Sequence, residues 1–424
     1  MSDLTPESGV AICTIASANY LAYAKTLSDS VRQFHPDVAF FLLVVDRPTP
    51  EIDEAILSCG LQAIYAEELG ISDFERLALK FDVVELNTAL KPTMLKLLFA
   101  KGFDKVLYLD PDIKLFSRIT PVLGALDDNN IVFTPHTVKP VMDGHRPSDI
   151  DFLRAGSFNL GFVGLRASQQ TSSMLNWWEE RCLAFGFIDT AFGIFVDQKW
   201  MDLVPCYFDG VYVLKHLGCN VAYWNLHERQ VSDDEGSYTV NGHPLCFFHF
   251  SGVKFDRPGI LSKYQDRHNL SPNTAIAALV ADYCRDLNSN GHSGYSNLEY
   301  SFGSFDNGIN ISRIARRSAC FGTTPDHSPF SSTSEFYKFA RKSGFLSPAN
   351  SSKVSVTSSN FNESSLSVRL VNVAIRIVSR AVGADRLSAL VRYIAILDRE
   401  DNLARVLSKT PFNFAHSKYK SRSV

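Results

Sequence analysis

Apolar residues along the first 110 positions come in short continuous runs, separated by segments where they recur every three or four places. Val10 to Ile15 reads as a first buried strand, and Tyr20 to Phe34 has helical spacing that ends at His35-Pro36. Val38 to Val45 reads as a second buried strand, stopping at Asp46-Arg47-Pro48. The pattern then predicts a helix over Glu51 to Cys59 closed by Gly60, a strand over Leu61 to Tyr65, and helices over Asp73 to Leu79 and Pro92 to Ala100. Val106 to Leu109 is continuous, β-branched and aromatic, and too short for a helix, so it reads as a buried parallel strand. Strands alternating with helices predict an α/β fold with a doubly wound, mostly parallel sheet flanked by helices. No GxGxxG follows the first strand, so the usual dinucleotide fingerprint is missing.

The pattern loses this regularity after about Leu270. Residues 285–365 are rich in Ser, Asn and Gly, and helical periodicity returns from Leu366 to Leu407. Three regions are expected: an α/β domain over 1–270, an irregular and helical extension over 271–365, and a basic helical region over 366–424. That last region carries eleven Lys/Arg against four Asp/Glu. Arg369, Arg376 and Arg380 fall on one helical face among apolar residues. A basic amphipathic helix can lie on an anionic membrane surface or pack on the preceding domain with its charged side solvated.

Composition narrows the class. With 45% hydrophobic and 21% charged residues in 424, the chain is globular and long enough for two or three domains. A net charge of −3 lacks the basic excess of a nucleic-acid binder. There is no signal-like start and no apolar run near the roughly 20 residues that span a bilayer, so a cytoplasmic protein is expected. Eight scattered cysteines with no Cys-x-x-Cys pair read as reduced core residues, not as a zinc site or a disulfide framework.

The candidate chemistry begins at Asp110-Pro-Asp112, two carboxylates closing the strand at Leu109. Ligands of open α/β sheets bind beyond the carboxyl ends of strands. In extended backbone, residues i and i+2 project to one side, so the pair can converge. Two hard oxygens suit Mg²⁺ or Mn²⁺, although Asp-Pro-Asp is also a good turn. Four segments follow in order: Gly156-Ser-Phe-Asn159-Leu-Gly161-Phe-Val-Gly164; Phe195-Val-Asp197-Gln198; Asn220-Val-Ala-Tyr-Trp-Asn225-Leu-His227; and Phe247-Phe-His249-Phe-Ser-Gly252-Val-Lys254. Three of them have a plain structural alternative: a packing bulge for the glycines, a helix cap for Asp197 and a hydrogen-bonded core residue for His249.

Taken in this order, the segments resemble the GT-A glycosyltransferases, most closely the retaining glycogenin-like and bacterial galactosyltransferase-like group. The resemblance covers about residues 9–265 and includes the opening loop Thr14-Ile-Ala-Ser-Ala-Asn19-Tyr20. The family's Lys-Pro-Trp after the histidine is replaced here by Val253-Lys254-Phe255-Asp256-Arg257-Pro258.

The resemblance implies that Asp110, Asp112 and His249 hold Mn²⁺ or Mg²⁺ and that Asp110 meets the ribose. Thr14, Asn19 and Tyr20 would frame the nucleotide. Asn159 and Gly161 would lie beside the sugar, with Gly252 in the His-x-x-Gly turn. Lys254, and less directly Lys91 or Arg257, would meet the diphosphate. Asp197 and Gln198 would lie near the anomeric carbon. It leaves open whether a covalent intermediate or same-face internal return operates.

The polar loop from Pro135 to Arg146 reads either as an acceptor or donor cover or as a surface connection. The implied activity is metal-dependent transfer of a hexose from a UDP-linked sugar, with retention, to a saccharide or glycoconjugate acceptor in bacterial surface polysaccharide synthesis. A sugar nucleotidyltransferase would want a glycine-rich basic loop after the first strand, which Thr14 to Tyr20 lacks. A non-catalytic sugar-binding protein on the same fold is the alternative outside the enzymes.

Overall fold

A computed structural model describes residues 9–234, 236–255, 257, 259–271, 274–321, 328–346 and 366–408. Its strands in chain order are β1 (Val10–Ala16), β2 (Ala39–Val44), β3 (Ala63–Tyr65), β4 (Lys105–Leu109), β5 (Ile113–Leu115), β6 (Ile131–Pro135) and β7 (Phe158–Arg166). They continue with β8 (Ile188–Asp189), β9 (Ile194–Phe195), β10 (Val211–Val213), β11 (Val231–Asp234), β12 (Ser237–Val240), β13 (His243–Pro244) and β14 (Phe247–His249).

The expected sheet is present, with seven strands in the order β10-β6-β7-β4-β1-β2-β3. All neighbours run parallel except β7, which is antiparallel to both β4 and β6. The apolar runs become strands because helices cover both faces, leaving β1, β2 and β4 buried over nearly their whole length. Ile12, Leu107, Leu109, Val132 and Phe162 pack with Leu27 and Val31 of the helix Leu21–Phe34. The helix Pro50–Cys59 starts one residue before the predicted Glu51, where Thr49 Oγ1 accepts from Ile52 N, and stops at Gly60, as the sequence predicts.

Two compact units are present: one holds the residues up to Phe74 together with Val83–Ser301, the other Glu75–Asp82 and the residues from Phe302 onward. The second is helical, with Arg313–Ala319, Glu335–Lys342, Leu366–Val382, Ala384–Leu397 and Glu400–Leu407. Its buried Arg316 donates to the carbonyls of Ala78, Leu79, Phe81 and Phe302. These bonds satisfy a charge that would otherwise be costly to bury.

A two-stranded antiparallel piece, β5 with β14, positions the site. Its register sets His249 opposite Ile113, the residue after Asp112, and Phe250 N donates to Asp112 O at 2.9 Å. β14 therefore carries its terminal histidine to the Asp-Pro-Asp segment.

Candidate active site

Asp110 and Asp112 do converge, but through a turn and not through strand pleat. Ile113 N donates to Asp110 O at 3.0 Å, closing a four-residue turn with Pro111 at its second position. Proline's fixed φ favours that geometry over continued extension. Asp110 N is held by Gly161 O at 2.8 Å. His249 Nε2 lies 3.0 Å from Asp112 Oδ1 and 3.7 Å from Asp110 Oδ2. The ring is buried, its edge set against Trp224 at 5.2 Å. Gly161 makes room for it: a Cβ there would lie 2.4 Å from His249 Cε1.

One potential ligand atom from each of Asp110, Asp112 and His249 lies within 4.8 Å of the others. Two carboxylates and an imidazole fit a hard divalent ion such as Mg²⁺ or Mn²⁺. Burial alone would lower the His249 pKa, but the Asp112 and Asp110 carboxylates outweigh it and raise it.

Behind the turn lies a buried charge relay. Lys91, 2% exposed at the start of the helix Lys91–Ala100, has its ammonium 2.9 Å from Asp197 Oδ2, 3.5 Å from Asp110 Oδ1 and 2.7 Å from Leu160 O. Burial works against the charged lysine, but its carboxylates outweigh that and raise its pKa. Burial pushes the Asp197 carboxyl up to about 6, with Lys91 opposing. Val196, just before it, has φ 43°. A β-branched residue in that region costs on the order of 1–3 kcal/mol, so the surrounding packing holds Asp197 in place against backbone preference.

Gln198 is buried and committed to backbone: Oε1 accepts from Leu160 N at 3.1 Å, and Nε2 donates to Ala155 O at 3.0 Å. Asn159 Oδ1 accepts from Gly161 N at 3.2 Å and from Asn220 Nδ2 at 3.1 Å. Thr14 is buried at the carboxyl end of β1, and its hydroxyl has no hydrogen-bond partner among the described residues. Asn19 accepts from Ser17 Oγ at 2.6 Å, and Tyr20, 42% exposed, stacks on Tyr23 with ring centres 4.6 Å apart. Gly252 turns the chain after His249 at φ 76°, and Lys254 beyond it is exposed.

Thus Lys91, Asp110, Asp112, Asp197 and His249 form one charged cluster. Asn159, Gly161 and Gln198 form its polar floor.

Two contributors escape the sequence reading. Tyr108 donates its hydroxyl to Asp110 Oδ1 at 2.7 Å, and burial followed by Asp110 raises its pKa well above the ordinary value, so it stays a donor. Its place near the end of the strand that runs into Asp110 was the available signal. Asp46, buried after β2, accepts from Ala18 N at 2.7 Å and Ser301 N at 2.6 Å, fixing the Ser17–Tyr20 loop. Only the abrupt end of an apolar strand at a carboxylate pointed to it. The Pro135–Arg146 loop is tied down by Glu228, which accepts from Val138 N at 2.9 Å, and by Arg267, which forks onto Asp143.

A mostly parallel seven-stranded sheet with one antiparallel strand, an Asp-x-Asp turn after β4 and a histidine returned beside it make a GT-A-like α/β fold. The chain is 26% identical over 249 residues to the uncharacterized protein YfnF of Bacillus subtilis (strain 168), covering 58% of this chain and 82% of that protein. It is 24% identical over 243 residues to YfnD of the same strain, covering 56% and 76%. Among solved structures it is similar to galactosyltransferase LgtC in complex with donor and acceptor sugar analogs. That match is 17% identical, covers 65% of this chain and 95% of that one, and has a TM-score of 0.40. Similarity to the glycosyltransferase GlyE of Streptococcus pneumoniae TIGR4 is 14% identical over 72% and 71% of the two chains, with a TM-score of 0.38. No protein-family model matches the chain.

Proposed function

We propose that the protein is a metal-dependent glycosyltransferase that moves a hexose from a UDP-sugar to a saccharide or glycoconjugate acceptor, with retention of configuration. The observation that carries this reading is the single charged cluster running from Asp112 and His249 through Asp110 and Lys91 to Asp197. Asp110, Asp112 and His249 would hold Mn²⁺ or Mg²⁺. When bound, that ion supplies Lewis-acid stabilisation of charge on the departing nucleoside diphosphate.

The other roles belong to the chain itself. Tyr108 and Lys91 orient Asp110 by a hydrogen bond and an ion pair. Tyr20 offers an exposed aromatic face for the base, with Thr14 and Asn19 beside it. Asn159 and Gly161 line the sugar position, and Gln198 braces their strand. Exposed Lys254, with Arg257 after it, meets the diphosphate. Asp197 keeps negative charge near the anomeric centre and holds Lys91 in place. The motif order shared with the retaining, bacterial galactosyltransferase-like group supports retention, the UDP donor and an acceptor in surface polysaccharide synthesis.

The helix Leu366–Val382 supports peripheral attachment to an anionic membrane. At 100° per residue, its arginines 369, 376 and 380 share one narrow stripe. Leu370, Val371, Val373, Ile375, Ile377 and Val378 are exposed. No described helix is long and apolar enough to cross a membrane. Flotation of the full chain with anionic vesicles tests attachment, and no binding would refute it. For the chemistry, nucleotide release from UDP-glucose, UDP-galactose and their N-acetyl forms is measured with Mn²⁺ and with EDTA. Release from none of them, or release unaffected by EDTA, contradicts the proposal.

A further inference from the structure

A second cluster of ligand-type side chains lies outside this site. The spacing His-x-x-Cys occurs twice, as His216-Leu-Gly-Cys219 and His243-Pro-Leu-Cys246. The fold brings the two segments together: Cys246 N and Phe247 N both donate to Gly218 O, at 2.8 and 3.2 Å. The first segment turns tightly before its thiol, with Cys219 N donating to His216 O at 3.1 Å, while the second runs in along β13. Only glycine permits this approach, because a Cβ on Gly218 would lie 2.1 Å from Pro244 O.

His216, Cys219 and Cys246 each offer a ligand atom within 4.8 Å of the others. Cys219 Sγ is 3.7 Å from His216 Nδ1. About 3.6 Å separates a nitrogen and a sulfur ligand on a tetrahedral zinc with Zn–N near 2.0 and Zn–S near 2.3 Å. Both thiols are buried and free of disulfide, while His243, at the surface, stands edge-on to His216 with ring centres 5.3 Å apart. The present partners are weak: Gly218 N donates to His216 Nδ1 at 3.2 Å, and Cys246 Sγ lies 3.8 Å from Pro244 O.

We propose that Cys219, Cys246 and His216 bind a zinc ion, with His243 swinging in as the fourth ligand. Each thiol releases its proton to water as the metal–sulfur bond forms. Two thiolates then balance the dication and leave a neutral complex suited to a buried position. Soft thiolates select zinc over the manganese or magnesium suited to the oxygen-rich triad. Through Cys246, the ion would pin the entry to β14, the strand that ends in His249.

The test uses the full chain, freed of loose metal by chelating resin. We expect one zinc per chain, released on thiol modification, retained in Asp112→Ala and lost in both Cys219→Ser and Cys246→Ser. Cobalt(II) added to the metal-stripped wild type should give thiolate-to-cobalt charge-transfer absorption with tetrahedral ligand-field bands, a readout that needs no variant to fold. His243→Ala should bind cobalt at least ~10-fold more weakly while keeping the thiolate band; unchanged affinity would remove His243 from the site. A Cys219–Cys246 disulfide in freshly purified protein, or cobalt spectra without thiolate bands, would overturn the proposal.

Discussion

The Asp110–Asp112–His249 triad and the paired His-x-x-Cys segments meet at one short strand, since Cys246 precedes Phe247–His249 and His249 ends it. Their ligand chemistry is opposite. The triad is built of carboxylates, 28% and 22% exposed, around one buried imidazole, so ligands can enter from solvent. The other cluster buries its thiols and leaves imidazoles at the rim. A site with exposed oxygens keeps positions open for a substrate, whereas a closed thiolate site gives stability. Proximity along the chain therefore says little about role; donor type and exposure say more.

The sharpest way to break that division is to remove a carboxylate. Asp110→Ala or Asp112→Ala should lower transfer at least ~1000-fold, matching several kcal/mol of lost leaving-group stabilisation. The melting temperature and any thiol-bound zinc should stay unchanged. Activity surviving in either variant would remove the metal from the chemistry.

Next in size is Asp197→Asn, which keeps shape but removes the charge facing Lys91. A kcat loss of at least ~100-fold, about 2.7 kcal/mol, is expected with little change in donor KM. Because burial raises this carboxyl to about 6, the required anion is lost as pH falls through about 6, so kcat should decline there in the wild type. A flat acid limb and a near-normal variant would leave Asp197 as a structural residue.

Gly161→Ala should push His249 from its place, since its Cβ would lie only 2.4 Å from the ring. Weakening of Mn²⁺ activation by roughly 10- to 100-fold is expected, measured by metal titration of activity. Tyr108→Phe is the smallest change. It removes the hydroxyl that orients Asp110 and should cost about 10-fold in metal affinity with stability nearly intact. No change in metal affinity would make that hydrogen bond incidental.

How much of this was legible depended on how local each feature is. β1, β4 and the helix Pro50–Cys59 follow from short-range patterns: apolar runs, helical spacing and a glycine stop. The Asp-Pro-Asp pair was visible for the same reason, yet its convergence by a turn depends on Asp110 O meeting Ile113 N. The antiparallel course of β7 was hidden, because an apolar strand has the same composition in either direction. Likewise, nothing near Lys91 in sequence shows that its ammonium is enclosed by Asp197, Asp110 and Leu160 O. The doubled His-x-x-Cys spacing was in plain view, but a search for Cys-x-x-Cys alone passes over it. Only the backbone pairing of Gly218 with Cys246 makes one cluster of the two segments.

The most direct test of the catalytic account is nucleotide release by the metal-stripped full chain from a panel of UDP-hexoses, as Mn²⁺ is titrated back, alongside His249→Ala. No release is expected without metal, with saturable activation by Mn²⁺ for at least one UDP-hexose and a markedly weakened metal dependence in His249→Ala at an unchanged melting temperature. Equal release with and without metal, or a His249→Ala protein that melts earlier yet titrates Mn²⁺ like the wild type, would contradict it.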